Sequence, residues 1–257
     1  MVCNSQTVKI AVLIDADNAQ PSMARPVHAE IAKYGTPFVK RAYGDWTGTS
    51  LAGWKFQLLE NSIQPIQQFA YTHGKNATDA AMVIDAMDLL YSNRFDGFCI
   101  VSSDSDFTRL ASRIRESGLF VYGCGERKTP KPFVTACDKF IYVDNLSPQN
   151  GLINHSNDGV THHAAPGEAN IPEQVTNWMK AAVEACSNDD GWADLCNVGT
   201  IMMSRHPDFD SRTYGHRKIS ALVIATGVFD IARGSREGGN AATYVREKPQ
   251  NHPVRGV

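Results

Sequence analysis

Val8-Lys9-Ile10-Ala11-Val12-Leu13-Ile14 is β-branched and almost wholly apolar, the pattern of a strand buried on both faces of a parallel sheet. It stops at Asp15. Apolar positions at helical spacing predict helices over Met23–Tyr34, Leu51–Asn61, Thr78–Tyr91 and Phe107–Glu116. Between them, short β-branched or aromatic runs predict strands over Pro37–Tyr43, Gln64–Phe69, Gly97–Val101, Leu119–Gly123 and Phe140–Val143. Strand and helix alternate, which argues for right-handed βαβ units and a doubly wound α/β sheet with ligands at the carboxyl ends of its strands.

The character changes after Leu146. Residues 147–170 carry Asn150-Gly151, His162-His163 and Pro166-Gly167 without periodicity, and read as a flexible linker. His162-His163 lacks a further ligand at metal spacing, so it reads as solvated linker and not as a metal site. Beyond it, helices are predicted over Glu173–Ser187, Asp194–Ser204 and Tyr214–Ala225. Two strands follow, Val228–Arg233 and Ala242–Glu247, joined by the glycine-rich 234–239. Three helices and a hairpin make a small winged-helix domain over 171–248, with residues 249–257 as a disordered tail and 1–146 as the larger domain.

Composition changes this picture little. Hydrophobic residues at 42% and charged residues at 20% are ordinary globular values, and exclude wholesale disorder or a fibrous chain. The formal charge of −2 leaves any nucleic-acid surface to be sought locally. The six cysteines form no CxxC pair and read as reduced thiols. Met1–Thr7 is polar and no run approaches a membrane span, so the expectation is a cytoplasmic protein without a membrane partner.

The chemistry gathers in acidic residues. Asp15 and Asp17 follow the first buried strand, and Asp104 and Asp106 follow the strand at Gly97–Val101, so two acidic clusters are expected at one rim. Helix capping is the competing explanation for Asp104 and Asp106. Asp79 weighs against it. Val83, Ala86 and Leu90 follow Asp79 at spacings of four, seven and eleven, which puts Asp79 in line with a sheet-facing stripe and turns Asp85 and Asp88 to solvent. Carboxylates in one pocket repel each other unless a cation neutralises them. With only hard oxygen donors, Mg²⁺ or Mn²⁺ suits better than Zn²⁺. Such ions activate water and stabilise charge on a phosphodiester. Asp15, Asp79 and Asp104 are the expected ligands, with Asp106 a fourth ligand or water-orienting group and Asn18 and Ser102 supporting them.

These motifs resemble those of the NYN family of PIN-like nucleases, in particular its bacterial LabA-like branch. The resemblance spans about Val8 to Leu146. It rests on Ile14-Asp15-Ala16-Asp17-Asn18, Tyr43-Gly44-Asp45-Trp46, Lys75-Asn76-Ala77-Thr78-Asp79, Asp85-Ala86-Met87-Asp88, Ser102-Ser103-Asp104-Ser105-Asp106-Phe107 and Tyr122-Gly123-Cys124-Gly125. It implies a PIN-like three-layer α/β/α sandwich, carboxylate-bound Mg²⁺ or Mn²⁺, and cleavage of RNA. From about Gly191 to Val245 the chain resembles the OST-HTH (LOTUS) domain, through Trp192-Ala193-Asp194-Leu195, Pro207-Asp208-Phe209-Asp210, Tyr214-Gly215-His216-Arg217-Lys218-Ile219 and Phe229-Asp230-Ile231. That resemblance implies RNA binding or the docking of a helicase.

Basic residues then become candidates for phosphate contact. Arg205, His206, Arg212, His216, Arg217 and Lys218 cluster in the small domain, with Arg233 and Arg236 on its wing. In the large domain Lys75 and Arg109 lie near the acidic clusters. Arg113 is as readily explained by pairing with Glu116. Trp46 and Trp54 are offered as packing residues more than as base-stacking platforms. Two rival readings stand beside a metal-dependent ribonuclease. One is a haloacid-dehalogenase-type phosphatase using Asp15 and Asp17, though Ala19 stands where that family has Thr or Val. The other is a non-catalytic RNA-binding adaptor.

Overall fold

A computed structural model of the chain describes residues 7–69, 77–146, 171–235 and 241–249. Cys3, Lys75, the 147–170 segment with His162-His163, Arg236 and residues 250–257 lie outside the described residues. The chain divides into two compact units, 1–149 and 150–257.

In the first unit six strands form one sheet: β1 (Lys9–Asp15), β2 (Thr36–Gly44), β3 (Gln64–Gln67), β4 (Gly97–Val101), β5 (Phe120–Gly125) and β6 (Lys139–Tyr142). Their order is β3-β2-β1-β4-β5-β6 and every pairing is parallel. β1 is therefore central, and the strand order reverses between it and β4. That reversal opens a crevice beyond the carboxyl ends of the two strands, where doubly wound sheets hold their ligands.

Alternation along β1 explains why its sequence is apolar throughout. Ile10, Val12 and Ile14 face one layer with α1 (Ala24–Ile31) and α2 (Trp54–Glu60), supplying Val27, Ile31 and Trp54. Ala11 and Leu13 face the other, with α3 (Ala77–Tyr91), α4 (Thr108–Glu116) and α5 (Lys131–Ala136), supplying Met82, Ile114 and Phe133. A period of two then puts Asp15 on the side of Ala11 and Leu13, the side against which α3 packs. This is the three-layer α/β/α sandwich expected.

Three local readings are corrected. The helix expected over Met23–Tyr34 begins as a 3₁₀ turn at Pro21–Met23 and is α-helical only to Ile31. α5 went unrecognised because six residues opening on Pro130-Lys131-Pro132 carry too little periodicity. Asp85 is not a solvated charge: it is half-buried and accepts hydrogen bonds from the Arg41 guanidinium and the Tyr43 hydroxyl, tying α3 to β2. Asp88 is exposed as expected.

In the second unit α6 (Glu173–Cys186), α7 (Leu195–Arg205) and α8 (Ile219–Thr226) close over a sheet of β7 (Ala193–Asp194), β9 (Ala241–Glu247) and β8 (Phe229–Ser235), in that order and antiparallel. Met179, Val198, Met202, Leu222, Phe229 and Val245 form its core. β7 is too short to be read from pattern. The helix expected over Tyr214–Ala225 is interrupted: Ser211–Tyr214 is a 3₁₀ turn, Gly215 stands at φ +80°, and α8 starts only at Ile219. His216, Arg217 and Lys218 thus lie on the approach to α8, not on it. Among the described residues no helix is long and apolar enough to cross a membrane.

Candidate active site

β1 delivers Asp15 into the crevice fully buried. Its Oδ2 accepts from Asn18 Nδ2 at 2.9 Å and Ser102 Oγ at 2.8 Å, and its Oδ1 from the Asn18 backbone amide at 3.3 Å. Burial pushes the Asp15 carboxyl above its ordinary value, while those hydrogen bonds pull it back. Asn18 and Ser102, the two supporting candidates, both donate hydrogen bonds to Asp15.

β4 delivers the second cluster. Ser102 Oγ, besides donating to Asp15, accepts from the Asp104 amide at 3.0 Å. Asp104 caps the 3₁₀ turn Ser105–Phe107, its Oδ1 accepting from the Asp106 amide at 2.9 Å. The capping explanation is therefore correct for one oxygen of Asp104. It does not exhaust the residue, because Asp104 is also brought up against Asp79.

Asp79 stands in the first turn of α3. Carboxylate oxygens of Asp79, Asp104 and Asp106 lie within 4.8 Å of one another. Asp79 is half-buried, Asp104 likewise, and Asp106 is exposed at the mouth. Desolvation, then the charges of Asp15, Asp104, Asp106 and Asp17, push the Asp79 carboxyl up to about 6. Asp15 is not one of the three grouped carboxylates, yet its charge weighs on Asp79 more than any other. The expectation that Asp15, Asp79 and Asp104 form the innermost set thus meets a different grouping, in which Asp106 takes the third place and Asp15 stands behind it.

The donor set fits a hard divalent cation. Three oxygens meet with no imidazole or thiolate in the group, and the charge repulsion that adds to burial in raising Asp79 is what a cation would relieve. One connection went unread in the sequence: Thr78 Oγ1 donates to Asp17 Oδ2 at 2.8 Å, joining the start of α3 to the loop after β1.

Around this centre the other expected residues divide. Arg109 is exposed in the first turn of α4, on the same rim. Arg113 lies at the far end of that helix and bonds the Tyr91 hydroxyl and Ser117, not Glu116. Trp54 is buried core. Trp46 is half-buried with its Nε1 donating to the Ile66 carbonyl at 3.0 Å, so both tryptophans pack.

In the second unit Arg205, Arg217, Lys218 and Arg233 are exposed. Arg212 is not available in the same way: it folds back on Asp210, with Nε 3.0 Å from Oδ1 and Nη2 2.6 Å from Oδ2. His206 stacks on Trp178, ring centres 3.7 Å apart. His216 is half-buried, with Nε2 enclosed and lacking a hydrogen-bond partner.

No curated protein matches this chain. Solved structures similar to it include a Vibrio parahaemolyticus protein of unknown function, 18% identical over 55% of this chain and 95% of that one, with a TM-score of 0.47. Another is an uncharacterized Nitrosomonas europaea protein solved by NMR, 34% identical over 39% of this chain and 94% of that one, with a TM-score of 0.29. The OST-HTH/LOTUS domain model matches residues 170–240. The NYN domain model matches residues 9–146, more than half of the chain and the whole of the six-stranded sheet with its acidic crevice, and the protein belongs to the NYN domain family.

Proposed function

We propose that the chain is a metal-dependent ribonuclease that hydrolyses RNA phosphodiester bonds at the crevice between β1 and β4, with the OST-HTH domain binding RNA. The observation that carries this reading is the meeting of Asp79, Asp104 and Asp106 oxygens within 4.8 Å at the mouth of a doubly wound sheet. Membership of the NYN family supports a nuclease, and the accompanying OST-HTH domain supports RNA as its substrate.

Asp79, Asp104 and Asp106 would hold Mg²⁺ or Mn²⁺, which supplies a lowered water pKa and stabilises charge on the phosphoryl oxygens when bound. Asp104 is oriented by its bond to the Asp106 amide and by Ser102. Asp106 would help hold the ion or orient an attacking water, and its exposure at the mouth supports either role. Asp15 keeps the pocket negative while remaining locked by Asn18 and Ser102. Its burial argues against a phosphatase working through Asp15, because a carboxylate with no exposed surface offers phosphorus no open approach.

The test is incubation of the full chain with labelled RNA and DNA pools in Mn²⁺ or Mg²⁺ and in chelator, beside Asp104→Asn. Metal-dependent RNA cleavage by the unaltered chain alone is expected. RNA binding that survives Asp104→Asn, with no cleavage by either protein, would instead favour the adaptor.

A further inference from the structure

The acidic centre has unlike flanks. On the β5–β6 side, the loop after β5 carries exposed Arg127, Lys128 and, at the start of α5, Lys131, while Arg109 stands on the neighbouring α4. Among the described residues these four cations outnumber Glu126 and Asp144 on the same side. On the β2–β3 side, the described residues carry Asp45, Asp85 and Asp88 against Arg41 and Lys55, with Asp85 engaged by Arg41 and Asp45 by Thr47 and Gln67.

The basic loop is also built. The Glu126 amide donates to Ser103 Oγ at 2.9 Å, which ties the loop to the segment carrying Asp104. Thr129 closes the loop on itself, its Oγ1 donating to the Glu126 carbonyl at 2.6 Å. Arg127 Nη2 donates to Asn145 Oδ1 at 3.0 Å, and its guanidinium lies 5.2 Å from the centre of the Tyr142 ring. An arginine so held loses little side-chain entropy on meeting an anion. Lys128 pairs with Glu126 at 2.9 Å, yet its side chain remains 73% exposed, so that pairing costs little to exchange for a phosphate.

We propose that Arg109, Arg127, Lys128 and Lys131 form the track along which the RNA backbone reaches Asp79, Asp104 and Asp106, so that the strand enters from the β5–β6 flank. A polyanion passing a carboxylate cluster needs fixed cations beside it, and this flank supplies them. The inference rests on the ribonuclease reading of the same site.

Lysine footprinting tests it without requiring cleavage. The full-length Asp104→Asn chain is acylated with an amine-reactive ester in Mg²⁺, with and without a single-stranded RNA oligonucleotide, and modification is read by mass spectrometry. Lys128 and Lys131 are expected to be protected several-fold and Lys55 not at all. In the otherwise unaltered chain, the Arg127→Gln/Lys128→Gln/Lys131→Gln variant is expected to raise KM about tenfold at unchanged kcat and to flatten the salt dependence by about two units of log–log slope. Lys128→Gln/Lys131→Gln, which leaves the Asn145 contact intact, guards against a folding defect and should show a smaller rise of the same kind. Protection of Lys55 in place of Lys128 and Lys131, or an unchanged KM in both variants, would overturn the track. If the unaltered chain cuts no RNA, the ribonuclease reading falls, while the footprint still decides where RNA lies.

Discussion

Thr78 Oγ1 donates to Asp17 Oδ2 at 2.8 Å, one residue before the carboxylate that faces the acidic centre. The bond spans from the first turn of α3 to the loop after β1, so it fixes how far Asp79 reaches toward Asp104. Asp17 is exposed, which limits the bond to about 1 kcal/mol, roughly a fivefold effect on binding. Thr78→Val is expected to weaken Mn²⁺ binding by about that factor in calorimetric titration, and Thr78→Ser to restore it. Equal Mn²⁺ affinity in Thr78→Val would show that Asp79 is placed by helix packing alone.

The Asp79 carboxyl, raised to about 6 from 3.8, gives the ion-free protein a pH signature. Because the folded value lies above the unfolded one, the folded chain holds the extra proton between them, and this group's contribution to stability falls as pH rises across that window. A cation must displace the same proton. Mn²⁺ affinity should therefore drop as pH falls below about 6, by at most about tenfold per unit for one proton. Titrations at pH 5, 6 and 7 measure it, and saturating Mn²⁺ should also remove the pH slope of urea unfolding midpoints. A flat affinity across these pH values would mean that the ion displaces no proton from Asp79.

How much of this was legible in sequence depends on the range of the interactions. The β1 run and its stop at Asp15 are local signals, and they placed the strand and the first acid correctly. Asp79 was read as inward from the Val83, Ala86 and Leu90 spacing, of which Ala86 and Leu90 are buried and Val83 half-buried, with Met82 also on the buried face. The same periodicity misjudged Asp85, since its partners Arg41 and Tyr43 come from a strand more than forty residues away. Which three carboxylates meet was equally hidden. Asp15 satisfies its oxygens on Asn18 and Ser102, and no spacing along the chain announces that the Ser102 hydroxyl lies 2.8 Å from a carboxylate on another strand.

Gly125 shows what the Tyr122-Gly123-Cys124-Gly125 motif is for. A Cβ there would stand 2.6 Å from the Ser102 carbonyl and 2.7 Å from Thr129 Oγ1. The backbone oxygen cannot move without shifting Ser102, and with it the bond to Asp15. Gly125→Ala is expected to destabilise the fold by about 1–3 kcal/mol, the range for overpacking, and to impair any metal-dependent activity beyond that loss. Gly53→Ala, whose Cβ would meet only Pro21 Cγ at 3.4 Å, serves as the comparison and should stay near the unaltered urea midpoint. Matching midpoints in the two variants would mean that β4 and β5 have room to part.

In the OST-HTH domain the two ends of the Asp210–Lys218 segment should behave differently toward RNA. Arg212 is held by Asp210 through two nitrogens, and Asp210 Oδ1 also accepts the Arg212 amide at 2.9 Å, so the pair both caps the Ser211–Tyr214 turn and neutralises itself. Arg217 and Lys218 follow Gly215 at positive φ and stand exposed where α8 begins, with the amide dipoles of that helix behind them. Phosphate contact at this end would add to the favourable field of the helix start, whereas contact at Arg212 would first have to break its ion pair. Arg217→Gln/Lys218→Gln is therefore expected to weaken binding of a single-stranded RNA by several-fold and to lower the log–log salt slope by about one unit, as loss of one to two phosphate contacts does. Arg212→Gln should leave that slope unchanged and instead lower the thermal midpoint, because it removes an ion pair from a mostly buried Asp210. Fluorescence anisotropy across a salt series, with a melt of each variant beside it, separates the two. A salt slope lowered by Arg212→Gln and untouched by Arg217→Gln/Lys218→Gln would reverse the assignment and put the phosphate at the turn.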